Sequence, residues 1–179
     1  MGVDKRFLLS EGGPLLARAI ALARRFTDEV LLSANDPERL VEFGAPVVPD
    51  RLEGGGPVLG IHAGLLAASR DLVLVLACDA PHVSPVLVER LRRESPRGDV
   101  VCGATAGGVE PLPGLYRRRC AAAIEEALSQ GRRRVVDFFS SVQARILPPE
   151  ETALADPGGR SYLNLNEPAD LAAVGGGTP

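Results

Sequence analysis

Tryptophan is absent, methionine occurs once, and aromatic residues make up 4% of the 179 positions. With Arg far more frequent than Lys, this fits a GC-rich genome and says little about function. No apolar run approaches the ~20 residues a membrane span needs. The first residues, Met1–Gly13, lack an apolar signal-peptide core followed by a small-residue cleavage site. The three cysteines, Cys78, Cys102 and Cys120, are odd in number and widely spaced. They form no CxxC pair and point to a reducing cytoplasm. The two histidines, His62 and His82, have no zinc-ligand spacing with them. Net charge is −3 with the signs interspersed, so no nucleic-acid footprint shows. No internal repeat and no long linker is present.

What remains is an ordinary soluble composition, 45% apolar and 24% charged, in a chain long enough for one domain with a real core. That domain is expected over residues 1–174, with the glycine-rich residues 175–179 as a flexible tail. Its centre is Leu72–Pro81, LVLVLACDAP. Five apolar residues run without a break, as in a strand buried on both faces, and Pro81 blocks further pairing. Helices are predicted over Pro14–Arg25, Pro57–Ser69, Pro85–Arg93, Tyr116–Ser129, Arg134–Ser140 and Pro168–Val174. Strands are predicted over Glu29–Ala34, Pro46–Asp50 (short and boxed in by prolines), Asp99–Gly103 and Ala144–Leu147. Val109–Pro113 and Tyr162–Asn166 read as short extended pieces, and Glu150–Arg160 as loop. Strand and helix alternate through the first hundred residues. The pattern predicts a Rossmann-like α/β/α architecture around a mostly parallel sheet.

In such sheets ligands sit outside the carboxyl ends of the strands. Ser33 and Asn35, then Asp50, then Asp79 follow three successive predicted strands, so their loops converge on one crevice. Each could equally be a turn or cap residue. Gly54-Gly55-Gly56-Pro57 opens a helix, either as a surface loop or as a backbone cradle for an anion. Arg132–Arg134 is an exposed basic face unless an acidic substrate binds beside it. Arg117–Arg119 begins the predicted Tyr116 helix, where positive charge is mildly unfavourable. Cys78 reads as a small apolar residue.

Taken in order, Met1–Lys5, Gly13–Leu16, Val47–Asp50, Gly56–Gly60, Cys78–Pro81, Glu110–Leu112 with Leu115-Tyr116, Arg133–Val135 and Asn164–Pro168 with Asp170-Leu171 resemble the molybdenum cofactor guanylyltransferases. These enzymes belong to the nucleotide-diphospho-sugar transferase type of fold. The resemblance implies transfer of GMP from GTP to molybdopterin, with GTP as substrate and Mg²⁺ as cofactor. Molybdoenzyme-maturation proteins are further candidate partners; neither nucleic acid nor membrane is expected. By the same resemblance Lys5 pairs with the nucleotide phosphates and Asp79 holds Mg²⁺ at the nucleotide. Asp50 belongs to the guanine side. Ser33 stands where the family often has a nucleotide-contacting Asn. Asn164 and Asn166 lie near the metal and the pterin phosphate, and Arg133 and Arg134 anchor the acceptor. Related transferases use CTP or other acceptors, and a catalytically impaired binding protein is the alternative of another class.

The family pattern also has a strand and a Leu-Ala-Gly-Gly-x-Ser-x-Arg loop ahead of the position of Met1. Without them the sheet would have a slot between two bare strand edges. A start codon upstream is expected, and the chain as given is expected to bind GTP more weakly than an extended form.

Overall fold

The computed structural model describes residues 5–7, 9–10 and 13–163, with side chains for 6–7 and 13–163. In chain order the strands are β1 Leu9–Ser10, β2 Gly13–Pro14, β3 Leu32–Ser33, β4 Val47–Val48, β5 Leu72–Val75, β6 Val100–Thr105, β7 Gly108–Arg117 and β8 Ala144–Leu147. The helices are α1 Leu15–Ala23, α2 Pro57–Ala67, α3 Pro85–Glu94, α4 Cys120–Ser129 and α5 Pro149–Ala155. The final helix predicted over Pro168–Val174 lies outside the described residues, as does most of the Tyr162–Asn166 piece.

β1 and β2 pair antiparallel, β3 and β4 parallel, and the main sheet has the order β5-β7-β6-β8. β8 is parallel to β6, whereas β7 is antiparallel to both of its neighbours. Side chains alternate across the pleat. Val100, Cys102 and Tyr116 face α2 and α4 with Phe138, and Val101 and Leu115 face α3 with Leu147. The main sheet is therefore covered by helices on both sides, the three-layer arrangement the sequence predicts.

β7 departs from the predicted parallel pattern and is longer than the predicted Val109–Pro113. Prolines argue against a central strand because they cannot donate to a ladder. Here the β6 register jumps between Cys102, opposite Gly114, and Gly103, opposite Glu110, so Pro111 and Pro113 sit in an irregularity. Pairing then resumes through Leu115, Tyr116 and Arg117. Tyr116 is buried and its hydroxyl donates to the Pro111 carbonyl at 2.6 Å. The helix predicted from Tyr116 starts only at Cys120. The three arginines ahead of it serve as ties. Arg117 pairs with Asp71, Arg118 donates to the Leu65 carbonyl near the end of α2, and Arg119 pairs with Asp99.

The segment predicted as loop from Glu150 contains α5. Pro149 suits its first position, and Glu150 and Glu151 favour the positive end of the helix. The helix predicted over Arg134–Ser140 is a run of 3₁₀ turns over Val135–Ser141.

The end of α3 carries a buried carboxylate. Glu94 accepts from Arg90 at 2.5 Å, Arg97 at 2.9 Å and Arg145 at 3.1 Å. Arg90 above all, then Arg145 and Arg97, hold its pKa at about 2, below the ordinary 4.5. A depressed carboxyl pKa stabilises the fold above the unfolded value, and that contribution is lost as pH falls through the folded one. Glu94→Gln is therefore expected to lower Tm at neutral pH. The gap from the parent should narrow as pH falls from about 4.5 to about 2. Thermal unfolding across that range checks it, and a gap constant with pH would contradict it.

Candidate functional site

The parallel pair β3–β4 sends two loops out over one edge. After β3, Asn35 turns its amide onto the second loop. Its Nδ2 donates to Asp50 Oδ2 at 3.0 Å, and the Asp50 N–H donates to Asn35 Oδ1 at 2.9 Å. Two hydrogen bonds thus fix a half-buried carboxylate two residues past the end of β4. Next to Asn35, Asp36 pairs with both terminal nitrogens of the Arg6 guanidinium. Arg6 holds the Asp36 carboxyl below the ordinary carboxylate range. The same contact ties the Lys5–Phe7 turn to the end of β3.

β5 ends at Val75, Leu76-Ala77 continue past it, and Asp79 sits half-buried in the turn that starts at Cys78. Cys78 packs against the cluster of Leu16, Ile20 and Leu32, the apolar role expected of it. Helix α2 opens at Gly56, whose φ of +107° is open to glycine but strained for other residues. Pro57 supplies the first helical position, where its missing N–H costs nothing. Two residues earlier, Gly54 has φ +133°, and Arg133 Nη1 occupies the place where a Cβ would stand. The guanidinium is packed directly on the glycine backbone.

One cavity of about 970 Å³ is lined by Arg6, Ser33, Asp50, Gly56 and Asp79. Three predicted residues, Ser33, Asp50 and Asp79, are therefore brought to one space. Arg133 joins them through the Gly54 loop without lining the cavity. Arg134 is exposed, and its backbone N–H donates to Asp137 at 2.8 Å. Lys5 lies in the turn beside Arg6, with its side chain outside the described residues; Asn164 and Asn166 are also outside them. Among the described residues no group of three or more His, Cys, Asp or Glu could enclose a metal ion. His62 is buried between helices, its Nε2 2.7 Å from Glu125 Oε1.

A family model described as a MobA-like NTP transferase domain matches residues 1–146. The chain belongs to that family. It is 35% identical over 178 residues to a protein of Pseudomonas paraeruginosa named molybdenum cofactor guanylyltransferase, covering 96% of this chain and 85% of that protein. It is 34% identical over 172 residues to a probable molybdenum cofactor guanylyltransferase of Pelotomaculum thermopropionicum, covering 96% and 83%. Among solved structures it is similar to molybdopterin-guanine dinucleotide biosynthesis protein A of Archaeoglobus fulgidus. The TM-score is 0.80 at 25% identity, over 96% of this chain and 89% of that one.

Within this MobA-like domain one contact of a named residue, Asn35, and one residue, Arg6, escaped the sequence reading. Asn35 was legible only as a polar residue after a strand; its grip on Asp50 needs the β3–β4 pairing. Arg6 had no signal beyond its place next to Lys5, because its partner Asp36 is thirty residues away.

Proposed function

We propose that the protein is a molybdenum cofactor guanylyltransferase, moving GMP from GTP to molybdopterin in the cytoplasm. The observation that carries this is the gathering of Asp79, Asp50 and Gly56 around one cavity in a MobA-like domain. A phosphate oxygen of molybdopterin attacks the α-phosphorus of GTP. The new P–O bond forms as the bond to the β-phosphate oxygen breaks, and pyrophosphate leaves with the electron pair. The attacking oxygen is already anionic, so no general base is needed. The work is to hold crowded phosphates in line and offset their charge.

Asp79 suits one hard cation. Mg²⁺ is held by one or two carboxylates plus substrate oxygens and water, not by an all-protein cage. Bound there, it supplies Lewis-acid stabilisation to the α-phosphate and the departing pyrophosphate. Lys5 would pair with the nucleotide phosphates, the Gly55-Gly56 backbone leaves room for them, and Asp50 accepts from guanine. Ser33 lines the nucleotide side. Arg133 and Arg134, with Asn164 and Asn166, take the anionic acceptor. Proteins of molybdoenzyme maturation would receive the product.

Asn35→Ala releases Asp50 from both of its hydrogen bonds. Hydrogen bonds to charged groups are worth about 1.5–3 kcal/mol, so KM for GTP should rise roughly tenfold or more while kcat changes little. Steady-state kinetics at varied GTP check this; an unchanged KM would remove Asp50 from nucleotide recognition. The wider test is product formation from molybdopterin, Mg²⁺ and each nucleotide in turn. GTP should be consumed in strong preference to CTP, and equal turnover would overturn the guanine assignment.

A further inference from the structure

Three basic side chains from distant parts of the chain meet just past the Asp79 turn. Ala80 and Val83 anchor this segment: both are buried, and Leu22 and Phe26 pack against their cluster. Pro81 and His82, between the two anchors, stay half-buried. Arg18 of α1 reaches this segment, and its Nη2 donates to the Pro81 carbonyl at 3.2 Å. The third basic residue, Arg160, opens the 3₁₀ turn Arg160–Tyr162. That turn is tied to the same segment. The Ser84 N–H donates to Ser161 Oγ at 2.8 Å, and Ser84 Oγ donates to the Ala155 carbonyl at 3.3 Å.

The field at His82 is positive. Partial burial lowers the imidazole pKa from its ordinary 6.5, and Arg160 and then Arg18 lower it further. Both guanidiniums therefore act on one ring. Asp156, the acid just ahead of Arg160, is buried and already accepts the Ser161 N–H at 2.8 Å. Cations gathered in this way raise each other's energy and attract an anion. Guanidinium forks match phosphate oxygens in pairs, and an imidazole offers an N–H even when neutral. None of the three residues lies in the segments that carry the family resemblance, so that pattern does not account for them.

We propose that Arg18, His82 and Arg160 form a phosphate subsite beside Asp79. The proposal rests on guanylyl transfer as the reaction, which brings two phosphate groups to the Asp79 rim besides the one transferred. One is the departing pyrophosphate, and the other is the phosphate of molybdopterin. Arg18 is fixed in advance by its bond to Pro81, so little reorganisation is needed when the anion arrives. Exposed Arg160 supplies the second guanidinium from the opposite end of the chain. The turn it opens runs on toward Asn164 and Asn166.

The test has a binding arm and a kinetic arm. The chain has two histidines, so their ring resonances are easily followed, and buried His62 is the internal control. Inorganic pyrophosphate and molybdopterin are titrated separately into the intact protein. At least one of them should shift the His82 ring and leave that of His62 in place. Arg160→Gln should weaken that binding about tenfold, as expected for a lost charge-assisted bond. Arg24→Gln, an exposed arginine past the end of α1, should not. An unmoved His82 with both ligands would overturn the proposal. In steady-state assays Arg160→Gln and His82→Gln should raise either the inhibition constant of pyrophosphate or the KM for molybdopterin about tenfold. The affected constant identifies the source of the phosphate. KM for GTP should stay within about twofold. An equal rise in KM for GTP would overturn the subsite by assigning the arginines to general attraction of anions. A changed Mg²⁺ requirement alone would also overturn it, by assigning them to Asp79. A His82 shift in a protein that transfers no GMP would keep the subsite and remove the reaction; GMP transfer with His82 unmoved by either ligand would do the reverse.

Discussion

Asp79→Asn is expected to lower guanylyl transfer about a thousandfold or more while the fold survives. Metal stabilisation of a developing phosphoryl charge is worth several kcal/mol, and each 1.36 kcal/mol is a factor of ten in rate. A neutral amide has nearly the same shape as the carboxylate but is a poor ligand for a hard cation. Among the described residues no cluster of metal-ligating side chains stands ready to compensate. Asp79 is half-buried in a turn and takes no place among the buried side chains of the core, so the substitution should spare stability. Single-turnover rates at saturating Mg²⁺, with circular dichroism and Tm as controls, check both halves. Turnover within tenfold of the parent would remove Asp79 from the metal role.

Phe138→Ala is expected to cost about 3–5 kcal/mol of stability, the usual range for emptying a buried phenylalanine site. With no Trp, two Tyr and five Phe, the chain concentrates its aromatic burial in few places. Phe138 is one of them. It is fully buried, its ring centroid is 6.4 Å from that of Tyr116, and it meets Phe139 edge-on at 5.1 Å. Tyr116 belongs to β7, which pairs with β5, so the cluster lies beneath the strand that leads to Asp79. Urea unfolding of both proteins measures the loss. A loss under about 1 kcal/mol would mean that the core closes around the gap.

Much of this architecture was legible in the sequence because local signals and burial agree there. LVLV at β5, the amphipathic pattern of α3 and the Gly56-Pro57 entry to α2 each specify their element without help from distant residues. β8 falls on the predicted Ala144–Leu147. β7 was not legible, because its prolines are tolerated only by an irregularity in its pairing with β6, a property of two strands together. The delayed start of α4 has a similar origin, since the partners of Arg117, Arg118 and Arg119 are 20 to 53 residues away. At the candidate site, Ser33, Asp50 and Asp79 could be placed by the rule that loops leave a parallel sheet at one edge. The packing of Arg133 on Gly54 could not, because nothing in either segment's sequence names the other.

The most direct measurement follows the α-phosphate. The protein is mixed with molybdopterin, Mg²⁺ and GTP labelled at that phosphorus. The label should appear in a guanine dinucleotide form of the cofactor, with one pyrophosphate released per product and no reaction when molybdopterin is left out. Failure of the label to enter the cofactor, or its release as free GMP regardless of acceptor, would contradict guanylyl transfer at the Asp79 rim.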